Sequence, residues 1–157
     1  MDKNFIEEEL YKKIVENVLI ATVDIVVLSR DLKKLLLFKR ENNPAKGIYY
    51  TPGGRIYKGE EAIECAIRKT KEEIGIDISK DDLGFGGTIV EKWENSFFSE
   101  EIESSFMTMF FYFILDNEDN LKLDKQHSEY KWFNIEDETI SPYVRKKVKY
   151  SLNKIEK

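Results

Sequence analysis

A chain of 157 residues is long enough to bury one substantial core without cross-links, and residues 1–157 read as a single domain. With 41% apolar and 35% charged residues, and no apolar run of membrane-spanning length, the composition is that of a soluble globular protein that neither enters nor rests on a membrane. A formal net charge of −5 argues against a nucleic-acid binder, so an anionic ligand must be met by local positive charge, for which Arg40, Arg55, Lys58 and Arg68 are candidates. The acidic start "MDKNFIEEEL" is unlike a signal peptide, and the single cysteine, Cys65, fits a reducing cytoplasm.

In chain order, "FIEEELYKKIVENV" places Phe5, Ile6, Leu10 and Ile14 at helical spacing and predicts a first helix. The apolar runs "VLIATVDIVVLSR" and "KLLLFKR" flank the polar "SRDLKK" and read as a hairpin. Asp24 interrupts the first of these runs, and an acid there has to be paired or functional if it is buried. "ENNPAKGIYYTPGG" reads as a loop, followed by a helix from about Glu61 to Ile74. "GGTIVEKW", "SFMTMFFYFIL" and "YKWFNI" read as strands, and "SPYVRKKVKYSLNKI" as a closing helix. Strands and helices without a regular βαβ beat predict an α/β fold with a mixed sheet between helical layers.

The most informative segment is "TPGGRIYKGEEAIECAIRKTKEEIGI", residues 51–76. Pro52-Gly53-Gly54 forces a sharp turn and leaves peptide groups open to a ligand or ion. Projected at about 100° per residue, the following helix puts Ile63, Ala66, Ile67, Thr70 and Ile74 on its core face. Lys69, Glu72 and Glu73 share a flank, with Arg68 one turn before Glu72. Carboxylates on a helix flank are usually solvated surface; beside a glycine turn they also suit a hard divalent cation. The one histidine, His127 in "KQHSEYKWF", is by itself either an ordinary surface residue or a proton carrier near neutral pH.

Gly54, Glu60, Arg68, Glu72, Glu73, Gly75 and Ile76 stand at the matching positions of G-x5-E-x7-R-E-U-x-E-E-x-G-U, so the segment resembles the Nudix box. "GIYYTPGG" resembles the approach to that box. The resemblance implies a Nudix fold, a mixed β-sheet in an α/β/α sandwich, and a metal-dependent hydrolase of nucleoside diphosphate derivatives. Gly54, Glu60, Arg68 and Gly75 would then be the structural part of the box, with Arg68 holding Glu72 through an i,i+4 pair. The pattern is altered at Lys69, which stands in place of the first glutamate, and at Thr70, in place of an aliphatic residue. An ammonium there removes a metal ligand and lowers the number of cations the site can hold.

The altered box "RKTKEEIG" is similar to that of the GDP-mannose mannosyl hydrolase branch, and the similarity runs from "NFIEEELYKKIVENVLIATVDI" to "KQHSEYKWF". In that branch water attacks the anomeric carbon of the sugar and GDP leaves. The resemblance makes His127 the general base, and it makes Arg40 and Asp24 further catalytic and substrate-binding residues, with Arg55 binding substrate. It gives one Mg²⁺, with Mn²⁺ as a substitute, held by Gly53, Glu73 and Gln126, with Glu72 as a further candidate. It also implies a nucleotide-sugar substrate, GDP-mannose or a related GDP-hexose, and a homodimer to which the first helix contributes. Two departures stand out: Glu72 is retained where the branch has a small apolar residue, and Phe106 replaces a substrate-contacting tyrosine. Three readings follow: a GDP-sugar glycosyl hydrolase, a pyrophosphohydrolase giving a nucleoside monophosphate and a sugar 1-phosphate, and a non-catalytic nucleotide-sugar-binding module.

Overall fold

The structure is a computed structural model describing Asp2, residues 4–116, Leu121 and residues 129–157. The elements are α1 (Glu8–Asn17), β1 (Ile20–Ser29), β2 (Lys34–Lys39), β3 (Tyr49–Tyr50), β4 (Gly53–Arg55), α2 (Ala62–Ile74), β5 (Gly84–Trp93), β6 (Ser104–Leu115), β7 (Tyr130–Asn134) and α3 (Pro142–Ile155). They build a seven-stranded sheet with a main path of β3-β2-β1-β6-β5, to which β4 adds on β1 and β7 on β2. β1 and β6 run parallel while their other partners are antiparallel, so the sheet is mixed.

Strand alternation divides the interior into two layers. Val23, Ile25 and Val27 of β1 pack with Cys65, Ala66 and Ile74 of α2, while Val26 and Leu28 pack with Val144 and Val148 of α3. Two cores on opposite faces make the expected α/β/α sandwich. No helix among the described residues is long and apolar enough to cross a membrane.

The predicted hairpin is present, with Val27 opposite Leu36 and Leu28 opposite Leu35. α2 begins with a capping box, in which the Glu61 N–H donates to Glu64 Oε2 at 2.9 Å, and ends at Gly75 with φ 78°. Of the predicted face, Ala66, Thr70 and Ile74 are buried while Ile63 and Ile67 are only partly so, and Cys65 is buried in addition. Two expectations are corrected. The segment read as a loop carries β3 and β4, strands of two and three residues that are too short for a period to register. The predicted first helix starts later than its apolar spacing suggested: Phe5 and Ile6 precede α1, Phe5 is 68% and Leu10 54% exposed, and Ile6 and Ile14 are partly buried.

A buried ion cluster joins α3 to the sheet. Asp24 shares the α3 side of β1 with Val26 and Leu28, and there the Lys147 ammonium lies 2.5 Å from Asp24 Oδ2 and 2.7 Å from Glu91 Oε1. Lys147 is 0% exposed. Tyr50 donates its hydroxyl proton to Glu91, Thr108 donates to Glu91 Oε2 at 2.9 Å, and Thr51 donates to Asp24 Oδ2 at 2.7 Å. Burial raises the Asp24 carboxyl above its usual range; Lys147 opposes this shift and Glu91 adds to it.

Replacing Lys147 with Met leaves two carboxylates in the interior without their cation. Urea unfolding at pH 7 is expected to show a loss of about 3–5 kcal/mol. The loss is expected to shrink at pH 5, because the raised pKa of the buried Asp24 carboxyl lets the folded state bind a proton that the unfolded chain releases. A loss under about 1 kcal/mol at both pH values contradicts the claim that this cation holds the cluster together.

Candidate functional site

The site forms where β1 meets the glycine turn. Thr22, Val23 and Asp24 pair with Arg55, Gly54 and Gly53, which brings the turn against the acidic strand position. A Cβ on Gly53 would stand 2.1 Å from the Val23 carbonyl oxygen and 2.3 Å from Asp24 Oδ1, so only glycine allows this approach. Beside it opens a cavity of about 170 Å³ whose lining includes Asp24, Arg40, Arg55, Tyr50, Glu91 and Phe106. It continues into an apolar cleft of about 500 Å³ between α1 and the segment around Phe97 and Phe98, where Arg40 and Phe106 are again lining residues.

Five of the residues singled out in the sequence therefore converge: Asp24, Arg40, Gly53, Gly54 and Arg55 border one cavity. Arg40 directly follows β2, and its Nε donates to the Pro44 carbonyl at 2.7 Å, which aims the guanidinium. Arg55 donates from Nη2 to the Asn4 carbonyl at 2.9 Å, with its guanidinium 5.0 Å from the Tyr57 ring centroid and 5.8 Å from that of Tyr11. Phe106, in the position expected for a tyrosine, offers a ring to both cavities and no hydroxyl.

The charges of α2 divide by partner. Arg68 binds chiefly to Glu60, Nε to Oε1 at 2.7 Å and Nη2 to Oε2 at 3.1 Å, while Glu72 lies 3.4 Å away. The expected i,i+4 pair of Arg68 with Glu72 is therefore present, but the shorter fork-to-fork bonds go to Glu60. Arg68 also donates to the Arg55 carbonyl at 3.1 Å and lies 3.8 Å above the Tyr57 ring, and Glu60 accepts from the Tyr57 N–H at 2.9 Å. These bonds pin the turn to α2, and the Arg68 bonds hold the Glu60 carboxyl below its ordinary range. Cys65 lies beneath them; burial pushes its thiol up to about 12, which removes it as a nucleophile near neutral pH.

On the other flank the Lys69 ammonium sits between two carboxylates, 3.0 Å from Glu72 Oε2 and 2.9 Å from Glu73 Oε1. Burial lowers the lysine pKa, but the bonds to Glu73 and Glu72 outweigh burial and raise it, so the amine stays charged. Glu73 and Gly53 border one cleft with Arg40. Among the described residues no three His, Cys, Asp or Glu side chains converge to form a metal cage. The Glu73 carboxylate and the Gly53 main-chain carbonyl are hard oxygen donors, the kind that suits a hard divalent cation. His127 and Gln126 lie outside the described residues.

The cavity floor contains groups that sequence reasoning missed: Glu91, Tyr50 and, behind them, Lys147. Two of them carried a signal. Glu91 alternates with Ile89 on the inward face of β5, and Lys147 falls between Val144, Val148 and Ser151 on the buried stripe of α3. Tyr50, in a segment read as loop, carried none.

Comparisons with known proteins agree with this architecture. A NUDIX domain model matches residues 18–152. The low-salt glycan biosynthesis protein Agl8 of Haloferax volcanii is 33% identical over 141 residues, covering 90% of this chain and 87% of that protein. An ADP-ribose pyrophosphatase of Methanocaldococcus jannaschii is 44% identical over 50 residues, 32% of this chain and 29% of that protein. The crystal structure of a MutT protein from Methanosarcina mazei Go1 superposes with a TM-score of 0.68 at 22% identity, covering 90% of this chain and 99% of that one. The glycine turn clasped by Arg68 and Glu60, the mixed sheet and the match over residues 18–152 together establish that the chain belongs to the Nudix hydrolase family.

Proposed function

We propose that this hydrolase acts on a nucleotide sugar and breaks the glycosidic bond, taking GDP-mannose and water to GDP and mannose. The observation that carries this reading is the Lys69 ammonium between Glu72 and Glu73. It leaves the flank of α2 short of the carboxylates that a multi-metal attack on phosphorus draws on. Nudix hydrolases generally use divalent metals and act on nucleoside diphosphate derivatives. A relative named for glycan biosynthesis favours a sugar-linked substrate, while guanine and mannose rest on the likeness of "RKTKEEIG" and "KQHSEYKWF" to the mannosyl hydrolase branch.

In this reading the guanidinium forks of Arg40 and Arg55 hold the diphosphate, with Arg55 exchanging its Asn4 carbonyl for a phosphate oxygen. Gly53, Glu73 and Gln126 would hold Mg²⁺, or Mn²⁺ in its place, and the chemistry supplied there would be Lewis-acid neutralisation of the departing diphosphate. Asp24 meets the sugar side of the cavity. Water attacks the anomeric carbon while the bond from that carbon to the diphosphate oxygen breaks, and the His127 imidazole accepts the water's proton. The reading includes a single domain over residues 1–157, a cytoplasmic location and a homodimer. A second reading, pyrophosphohydrolysis to GMP and mannose 1-phosphate, is favoured by the retained Glu72 and by the partial match to an ADP-ribose pyrophosphatase.

Incubation with GDP-mannose and magnesium, followed by phosphorus NMR and a reducing-sugar assay, separates the two. GDP and free mannose are expected; GMP and mannose 1-phosphate would sink glycosidic cleavage. His127→Gln is expected to lower kcat by about 10²–10⁴-fold with the fold intact by circular dichroism. An unchanged kcat would remove the histidine from the chemistry. Chelation with EDTA is expected to stop turnover and added magnesium to restore it, whereas full activity in EDTA argues against any metal role.

A further inference from the structure

The hydroxyl protons around the buried cluster all turn inward. Thr51 donates to Asp24 Oδ2, Tyr50 to Glu91 and Thr108 to Glu91 Oε2. A hydroxyl has one proton to give, so at the 2.9 Å contact between Thr22 Oγ1 and Thr108 Oγ1 the donor is Thr22. Lys147 enforces the same direction: its ammonium lies 3.3 Å from the Tyr50 and Thr51 hydroxyl oxygens and can only donate to them. Asp24 Oδ1 receives no hydrogen bond from the described residues, whose fully buried side-chain oxygens all have partners, so it opens on the cavity that Asp24 lines. On this side of the cavity Thr22, Asp24, Tyr50, Thr51 and Glu91 therefore offer lone pairs and no protons.

We infer that this floor is an acceptor-only surface that selects the sugar: it takes a moiety rich in hydroxyl donors, such as an uncharged hexose, and rejects the same sugar carrying a carboxylate. A carboxylate brings no proton for these acceptors. It also meets two carboxylates compensated by one ammonium. Arg40 and Arg55, the cations of the same lining, are taken by the diphosphate, which leaves the floor to the sugar; this orientation rests on the nucleotide-sugar reading but not on which bond breaks. Lys147 and Glu91 are then positioning residues. The lysine is 0% exposed and both glutamate oxygens are already bonded, yet together they decide which way the hydroxyl protons of the floor turn.

Calorimetric titration with Ca²⁺ in place of magnesium, and with chromatography to confirm intact nucleotide, tests it in two series: GDP, GDP-mannose and GDP-mannuronic acid, and UDP, UDP-glucose and UDP-glucuronic acid. In at least one series the neutral sugar is expected to bind about tenfold more tightly than its nucleoside diphosphate, through hydroxyl bonds to charged acceptors. The uronic acid is expected to bind at least about tenfold more weakly than the neutral sugar, as like charges about 5 Å apart require. Glu91→Gln removes the excess charge, and its new amide, kept off the ammonium, has to donate to Thr108. Thr108 then gives its proton to Thr22, and the Thr22 proton turns into the cavity. The preference for the neutral sugar is expected to fall to about twofold in this variant, with thermal melting confirming that it is folded. If it does not fold, the wild-type series decide alone. A uronic acid bound as tightly as the neutral sugar, neutral sugars bound no more tightly than the bare diphosphates in both series, or an unchanged preference in folded Glu91→Gln overturns the inference. GMP and mannose 1-phosphate as products with magnesium count against the proposed reaction and leave this result standing.

Discussion

One buried ammonium underlies the arrangement of the candidate site. Lys147 reaches from α3 into the sheet and touches acids on two different strands, Asp24 of β1 and Glu91 of β5. Two carboxylates and one amine in a dry interior are costly unless their bonding is nearly complete. Tyr50, Thr51 and Thr108 complete it, and among the described residues no fully buried side-chain N or O atom lacks a partner. The cavity therefore has a polar floor that is fixed by its supports, not one that adapts to whatever enters.

From that floor outward, charge is arranged in steps. The interior cluster is compensated except for one carboxylate charge, the mouth carries the guanidinium groups of Arg40 and Arg55, and the α2 flank carries carboxylates neutralised in part by Lys69. An acidic protein with a net charge of −5 thus presents localised positive charge beside a hard-oxygen site. This combination suits a phosphorylated ligand that brings its own negative charge and shares a cation with the protein. The adjoining apolar cleft, with Phe97 and Phe98 across from α1, shares Arg40 with this cavity.

Helix α2 shows how one segment serves three purposes at once. Its Ala66–Thr70–Ile74 stripe packs on the sheet, Arg68 on one side ties the glycine turn down through Glu60 and Tyr57, and Lys69 on the other holds Glu72 and Glu73. Because adjacent residues point about 100° apart, the consecutive charges Arg68 and Lys69 share Glu72 but differ in their shortest bonds, Arg68 to Glu60 and Lys69 to Glu73. The Glu60–Arg68 pair ties the turn to the helix and the Lys69 group pairs the carboxylates of the other flank, although all of them look alike in composition.

The sequence by itself determined whatever is local. The 3.6-residue period placed α2 and its core face, the apolar runs placed β1, β2, β5 and β6, and the spacing from Gly54 to Ile76 carried the family. The lone acid in "ATVDIVV" was readable as a group in need of a partner. Which partner it found was not, because Lys147 is 123 residues away and pairs with Asp24 only once α3 packs on the sheet. The same holds for β3 and β4, which exist through pairing with β2 and β1 and not through propensity, and for Tyr50 and Glu91, which meet across 41 residues. For Arg68 the helical spacing offered Glu72, but tertiary folding brought Glu60 closer. Periodicity reports neighbours within a turn or two of chain, so it supplied the helices, the strands and the inventory of charges. Only the tertiary structure decided which charges meet, since those pairings are selected by the burial of whole faces against one another.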